Sequence, residues 1–357
     1  MKLALIRRKF DANGGAELYT QRLLAALAES GHETHLFAES WAAPPGNVTL
    51  HPVLVRGGRA RRARRFAEAV QAQLSTLQFD SVFSLERTLK QDVYRAGDGV
   101  HQVWLERRRE FAPWWARWLI GRGSFHQGIL DLERETFNPS NTRHVIVNSQ
   151  MVRREIRRCF NFPEDRIHLV RNGVNVERFQ NLDRLAARAR FGFSESEFVM
   201  VFVGSGWKRK GLRHAMEVAR RLGDRGVRLL VAGKGKIPSN PPSNVLFIGP
   251  LAEVETAYAA GDLLLCLPLY EPSANVVCEA LAAGIPVVTS VQNGAAEWIK
   301  HGVTGSVVDN PSDIPAVLRA VEPWLTGARR RIPIELDELR IERNVQETLQ
   351  VLSLCRP

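Results

Sequence analysis

Leu267-Pro268-Leu269-Tyr270-Glu271-Pro272-Ser273-Ala274-Asn275-Val276-Val277-Cys278-Glu279-Ala280-Leu281-Ala282-Ala283-Gly284-Ile285-Pro286-Val287-Val288 is the stretch on which the reading of this chain turns. It follows an apolar run, Leu263 to Leu267, that reads as a buried strand. Pro268 and Pro272 break regular structure. From about Ala274 to Ala283 the spacing of Val276, Val277, Ala280 and Leu281 predicts a helix with one apolar face. Gly284 suits its end, Pro286 cannot continue it, and Ile285 to Thr289 reads as the next buried strand. Glu271 therefore sits in a loop at the carboxyl end of a strand, and Glu279 lies one to two turns inside the helix that follows.

A helix N-terminus offers free N–H groups and a positive dipole end, which suit phosphate. Carboxylates accept hydrogen bonds from hydroxyls, which suits ribose or a sugar ring. Together they suit a sugar nucleotide. Spacing alone fits a surface helix with an incidental glutamate pair equally well.

The run E-P-S-x-N-V-V-x-E-A, followed by A-A-G-I-P-V-V, resembles the signature of retaining glycosyltransferase family four, which has the GT-B fold. The resemblance implies that Glu271 contacts the donor sugar and Glu279 holds the ribose hydroxyls. It also implies that the backbone amides of Ala274, Asn275 and Val276 meet the sugar and phosphate.

At 357 residues the chain is long enough for two α/β domains, each with its own core. The formal charge of +11, from 49 basic and 38 acidic residues, suits nucleic acid, anionic lipid or phosphorylated substrates without choosing among them. Cys159, Cys266, Cys278 and Cys355 show no paired spacing, as expected of reduced packing residues in a cytosolic protein. No apolar run approaches the ~18 residues of a membrane span. Lys2 to Ile6, cut short by Arg7 and Arg8, reads as a first strand and not as a signal peptide.

Gly14 and Gly15 follow that strand and precede a helix running to about Ala28. Glycine there lets backbone approach a phosphate, although a plain tight turn fits too. In the resembled family this loop lies near the donor diphosphate. The dinucleotide fingerprint is missing after the first strand, and Leu212 stands where a P-loop lysine would be, so neither of those readings holds. Arg56, Arg59, Arg61, Arg62, Arg64 and Arg65 begin a helix running to Leu77, either a solvated face or an anionic contact. Ser81 to Leu85 is a strand. In Asp92-Val93-Tyr94-Arg95-Ala96-Gly97-Asp98-Gly99-Val100-His101 the glycines imply a tight loop with an exposed carboxylate; a structural Asx turn is the alternative. The segment resembles the lipopolysaccharide-core heptose glucosyltransferase branch of the family, which implies that Asp98 is a base near the acceptor, with His101 as a possible sharer.

Trp104 to Leu130 interleaves Trp104, Trp114, Trp115 and Trp118 with Arg107, Arg108, Arg109, Arg117 and Arg122. Such a mixture suits an anionic membrane interface, stacking on nucleic acid or sugars, or aromatic packing against the core. We expect peripheral attachment through residues 104–125 to the inner face of the plasma membrane, and otherwise a cytoplasmic location. His144 to Ser149 reads as the last strand of the first half.

Asn172-Gly173-Val174-Asn175 resembles the family's linker motif, so a first, acceptor-side domain is expected over 1–170. A second, nucleotide-sugar-binding domain is expected over 171–335, and over 336–357 a helix crossing back to the first. Phe198 to Gly204 restarts the strand pattern. Ser205 replaces the family's usual arginine, and the resemblance implies that Arg209 and Lys210 bind the donor diphosphate instead. Gly233, Pro250 and Leu251 follow further strands, where the family lays its nucleobase.

The expected architecture is α/β: GT-B, two doubly wound Rossmann-like domains facing a cleft, with ligands at the carboxyl ends of strands. The expected activity is retaining, metal-independent transfer of a hexose, with UDP-glucose the first donor to test and a lipopolysaccharide-core heptose or related glycan the acceptor. Asp98, Glu271, Lys210 and Arg209 are the candidate catalytic residues. No cofactor, metal ligand or nucleic-acid partner is expected. A GT-B sugar-nucleotide epimerase or hydrolase is the alternative; a basic nucleic-acid-binding protein would leave the glutamate pair unexplained.

Overall fold

The computed structural model describes residues 1–9, 15–29, 31–41, 48–325 and 332–355. The chain divides into two compact units, Met1–Arg171 with Ile341–Pro357, and Asn172–Arg340.

The first unit carries β1 (Lys2–Ile6), α1 (Gly15–Glu29), β2 (Glu33–Ala38), β3 (Val48–Pro52), α2 (Arg59–Leu74), β4 (Ser81–Ser84) and β5 (Gln91–Arg95). There follow α3 (His101–Glu110), α4 (Ser124–Thr136), β6 (Thr142–Val147), α5 (Gln150–Phe160) and β7 (Ile167–Leu169). The seven strands form one sheet in the order β3-β2-β1-β4-β5-β6-β7. Every pairing is parallel. Both faces of β1 are buried: Leu3 and Leu5 join one cluster, Ala4 and Ile6 the other. A strand covered on both sides reads as an unbroken apolar run, as Leu3 to Ile6 does. One expectation needs correction: the sheet ends on β7 and not on the strand at 144–149. The segment 91–95 is a further strand that its polar residues hide in the sequence.

The second unit carries α6 (Arg184–Phe191), β8 (Phe198–Val203), α7 (Leu212–Arg221), β9 (Val227–Ala232), β10 (Val245–Gly249) and α8 (Glu255–Ala260). It continues with β11 (Leu263–Cys266), α9 (Asn275–Ala282), β12 (Val287–Ser290), β13 (Gly305–Val308) and α10 (Ile314–Leu325). Its parallel sheet has the order β10-β9-β8-β11-β12-β13. The direction of winding reverses between β8 and β11, and it is beside such a reversal that open α/β sheets take their ligands. Val199, Val201 and Val203 face one core, Met200 and Phe202 the other.

The last helix, α11 (Ile341–Ser353), belongs to the first unit, where Ile341, Val345, Val351 and Leu352 share a core with Leu3, Leu5 and Leu24. The second unit runs on to Arg340, because a turn at Leu336–Leu339 is tied to it by the Val174 amide donating to the Leu339 carbonyl at 2.8 Å.

Candidate donor site and the Asp98 turn

The loop after β8 lies at the reversal point. Gly204, Gly206 and Gly211 all have positive φ (125°, 74° and 77°), which lets the chain coil tightly before α7. Gly211 has no alternative: a Cβ there would lie 1.8 Å from the carbonyl oxygen of Leu267. This close approach brings the loop against the segment after β11, and the Leu269 amide donates to the Arg209 carbonyl at 2.8 Å.

The side chains meet accordingly. Arg209 Nη1 donates to Glu271 Oε2 at 2.6 Å and to the Tyr270 carbonyl at 3.2 Å. Lys210 Nζ lies 3.6 Å from the same carboxylate oxygen. Glu271 is held at both ends of its peptide by the loop after β12: its amide donates to Gln292 and its carbonyl accepts from Gly294, at 2.8 and 2.9 Å. Buried Asn293 accepts from the amides of Ala274 and Ala295, each at 3.1 Å, and so fixes the start of α9. Asn172 Nδ2 donates to Asn275 Oδ1 at 2.8 Å. Asn275 and Val276 open α9, where backbone amides have no acceptor within the helix.

Glu279, one turn on, accepts from the Tyr258 hydroxyl at 2.6 Å. Burial raises its pKa above the usual carboxylate range, a rise that the Tyr258 bond and the charges of Lys210 and Arg178 oppose. Gly233, at φ 130°, lies against Gly204, where a Cβ would stand 2.2 Å from the Gly204 carbonyl oxygen. Pro250 is exposed just beyond β10, whereas Leu251 packs partly onto the core. Burial also pushes the Cys266 thiol up to about 12, consistent with an inert packing residue.

In the first unit Asp98 is exposed in a turn closed by the Gly99 amide donating to Ala96 at 3.1 Å. A buried ion pair holds the next residues. Glu133, 0% exposed, accepts from the amides of His101 and Gln102 at 2.7 and 3.1 Å and from Arg87 at 2.9 Å. Arg87 also donates to the Gly99 carbonyl at 2.8 Å. His101 pairs with His126 at 3.0 Å, and burial, with Arg87, His126 and Arg108 nearby, lowers its pKa to about 4. Gly15 begins α1; Gly14 lies outside the described residues.

Trp114, Trp115 and Trp118, in a turn at Trp114–Leu119, are 81%, 61% and 59% exposed, which rules out core packing for these three. Among the described residues no group of His, Cys, Asp or Glu comes together that could hold a metal ion, and no helix is long and apolar enough to cross a membrane.

Tyr258, Asn293, Arg87 and Glu133 were not singled out from the sequence, and Asn172 was read only as part of the linker. Each has a partner between 19 and 103 positions away, where spacing carries no signal.

Two family profiles match the chain: Glycosyltransferase Family 4 over residues 13–178 and Glycosyl transferases group 1 over residues 197–326. The chain belongs to the family-four, group-one glycosyltransferases. The lipopolysaccharide glucosyltransferase WaaG of Escherichia coli is 25% identical over 373 residues, spanning 99% of this chain and 96% of that protein. A solved structure of WaaG, described as involved in lipopolysaccharide biosynthesis, superposes with a TM-score of 0.79 at 23% identity, over 99% of this chain and 97% of that one. An uncharacterized glycosyltransferase of Methanocaldococcus jannaschii is 30% identical, but over only 50% of this chain and 51% of its own length. HepE of Anabaena, solved in complex with UDP-glucose, superposes with a TM-score of 0.72 at 16% identity, over 99% of this chain and all (100%) of that one. The fold is GT-B, with two Rossmann-like domains, and the likeness to the lipopolysaccharide-core enzyme WaaG runs over nearly the whole chain.

Proposed function

We propose that this glycosyltransferase moves glucose from UDP-glucose, with retention of configuration, to a hydroxyl of a lipopolysaccharide-core heptose or related cell-surface glycan. The observation that carries the donor half is the meeting of Arg209, Lys210 and Glu271 beside the first turn of α9. Before donor arrives, the two cations neutralise Glu271. A diphosphate is the stronger anion and draws them away, so that Glu271 is freed for the sugar hydroxyls as the phosphates are bound. As the glycosidic bond breaks, Arg209, Lys210 and the amides of Asn275 and Val276 stabilise the charge on the departing diphosphate without a bridging metal. Glu279 takes the ribose, and the loops bearing Gly233, Pro250 and Leu251 complete the donor pocket on this unit.

Asp98 receives the acceptor proton, and its fixed, exposed turn suits that role. Likeness to WaaG supports the acceptor class, and HepE, which binds UDP-glucose on the same fold, supports the donor. The exposed tryptophans and their arginines hold the enzyme at the inner face of the plasma membrane. Incubation of purified protein with UDP-glucose, alone and with heptose-terminated core oligosaccharide, tests this. Glucosylated acceptor with the α-anomeric linkage of the donor is expected; free glucose or an isomerised donor as the sole product overturns it.

A further inference from the structure

Tyr258 is a fully buried side chain whose one hydroxyl points at the site. It sits on α8, packs edge to face on Phe179 with ring centroids 5.6 Å apart, and donates to Glu279 Oε2 at 2.6 Å. The other oxygen of Glu279 takes no hydrogen bond from any described residue, so one side of the carboxylate is occupied and the other is open. We propose that Tyr258 is the positioning residue of the donor site, holding Glu279 in place for the ribose hydroxyls. The proposal rests on the reading of Glu279 as the ribose acceptor.

The physical reason is the cost of a half-buried carboxylate. A flexible glutamate in a largely apolar wall either turns to solvent or takes up a proton; a buried hydroxyl bonded to one oxygen prevents both. The groups around Glu279 are few. Tyr258 and Glu255 come from α8, Arg178 from the turn at Val176–Phe179, and Lys210 from the loop after β8. Arg178 is paired with Glu255 at 2.7 Å, and Lys210 faces Glu271. Tyr258 is thus the one group of these that touches Glu279 directly. With burial raising the pKa of Glu279 and the Tyr258 bond lowering it, loss of the hydroxyl moves protonation toward neutral pH.

The test is UDP binding by titration calorimetry between about pH 5 and pH 8, for the wild type, Tyr258→Phe, Glu279→Gln and the double variant. Tyr258→Phe keeps the ring against Phe179 and is expected to unfold cooperatively. It should bind UDP about tenfold more weakly near neutral pH, and its affinity should fall at a higher pH than that of the wild type. Glu279→Gln should weaken binding and flatten the pH dependence. The double variant should bind no worse than Glu279→Gln, because Tyr258 acts only through Glu279. Tyr258→Phe with wild-type affinity and pH dependence, or a full additional loss in the double variant, overturns the proposal while leaving Glu279 in its role. Glu279→Gln with wild-type affinity, or a wild type that binds none of UDP, GDP and ADP, overturns the ribose reading itself.

Discussion

Glu271 is asked to do two things, and a single substitution separates them. In the free protein it neutralises Arg209 and Lys210; with donor bound it is proposed to hold sugar hydroxyls. Glu271→Gln removes the charge but keeps the shape. Two cations are then left without their carboxylate, so UDP is expected to bind as tightly as in the wild type, or a few-fold tighter. Glucose transfer is expected to fall by about two orders of magnitude, the usual scale for loss of one transition-state contact. Arg209→Ala should do the reverse, weakening UDP by about tenfold or more, in line with a charged hydrogen bond. Calorimetry with UDP and an assay of glucosylated product read the two quantities separately. Equal losses of binding and transfer in Glu271→Gln would show that Glu271 serves the cations alone. Glu271 and Glu279 stood out because the sequence spaces them across one helix start within a run that resembles the family signature; spacing alone did not separate them from an incidental pair. Arg209 was legible only through resemblance, since Ser205 stands where the family's arginine would be and 62 positions separate Arg209 from Glu271.

At the scale of elements, the long apolar strands of both units announce themselves, because burial on both faces leaves no polar alternation to interrupt them. The strands that were missed or misplaced are those with polar residues inside. β5 buries Gln91 against Thr88 and Thr142 and lays Arg95 over the Tyr19 ring at 4.2 Å, so its burial rests on partners far away in the chain. Gly211 shows what an element boundary demands. Alanine there would face both a left-handed backbone and the Leu267 carbonyl. Gly211→Ala should cost about 2–4 kcal/mol and weaken UDP binding by displacing Arg209 and Lys210; thermal unfolding and calorimetry read both. Elements of the first unit are also joined by paired histidines: His35 with His51 across β2 and β3, His101 with His126 across α3 and α4, and His144 with His168 across β6 and β7. Each pair holds a histidine of lowered pKa, with burial the leading cause. A folded-state value below the ordinary 6.5 means that the unfolded chain binds protons first. The associated stability is therefore present above pH 6.5 and is lost as pH falls from there toward about 4. Melting temperature should drop between neutral and mildly acid pH, and His101→Gln should show a shallower drop; equal slopes would remove His101 as a contributor.

For the whole molecule the excess of positive charge, +11, needs a counterpart, and the Trp114–Leu119 turn suggests where part of it acts. Three exposed indoles lie among Arg107, Arg108, Arg109, Arg117 and Arg122, and Arg122 covers the Trp118 ring at 5.4 Å. Several of these guanidiniums are already engaged: Arg107 pairs with Glu110, Arg109 donates to the Ile120 carbonyl and Arg117 to the Ala112 carbonyl. A purely electrostatic contact would therefore be weak at this turn, and at physiological salt it would be screened beyond about 8 Å. Indole rings that enter the headgroup region add a contribution that salt does not screen, on the order of 1–2 kcal/mol each when partly covered. Two dependences should follow. Binding to vesicles rich in anionic phospholipid should exceed binding to neutral vesicles and should weaken, without vanishing, as salt is raised. Trp114→Ala with Trp115→Ala and Trp118→Ala should remove the salt-resistant part and leave the melting temperature unchanged, since none of the three rings is buried. Co-sedimentation with vesicles over a salt series measures both. The arginines and tryptophans act together at the membrane only if the triple variant keeps a binding component that disappears with salt; a variant indistinguishable from the wild type at every salt concentration would assign the charge to another ligand.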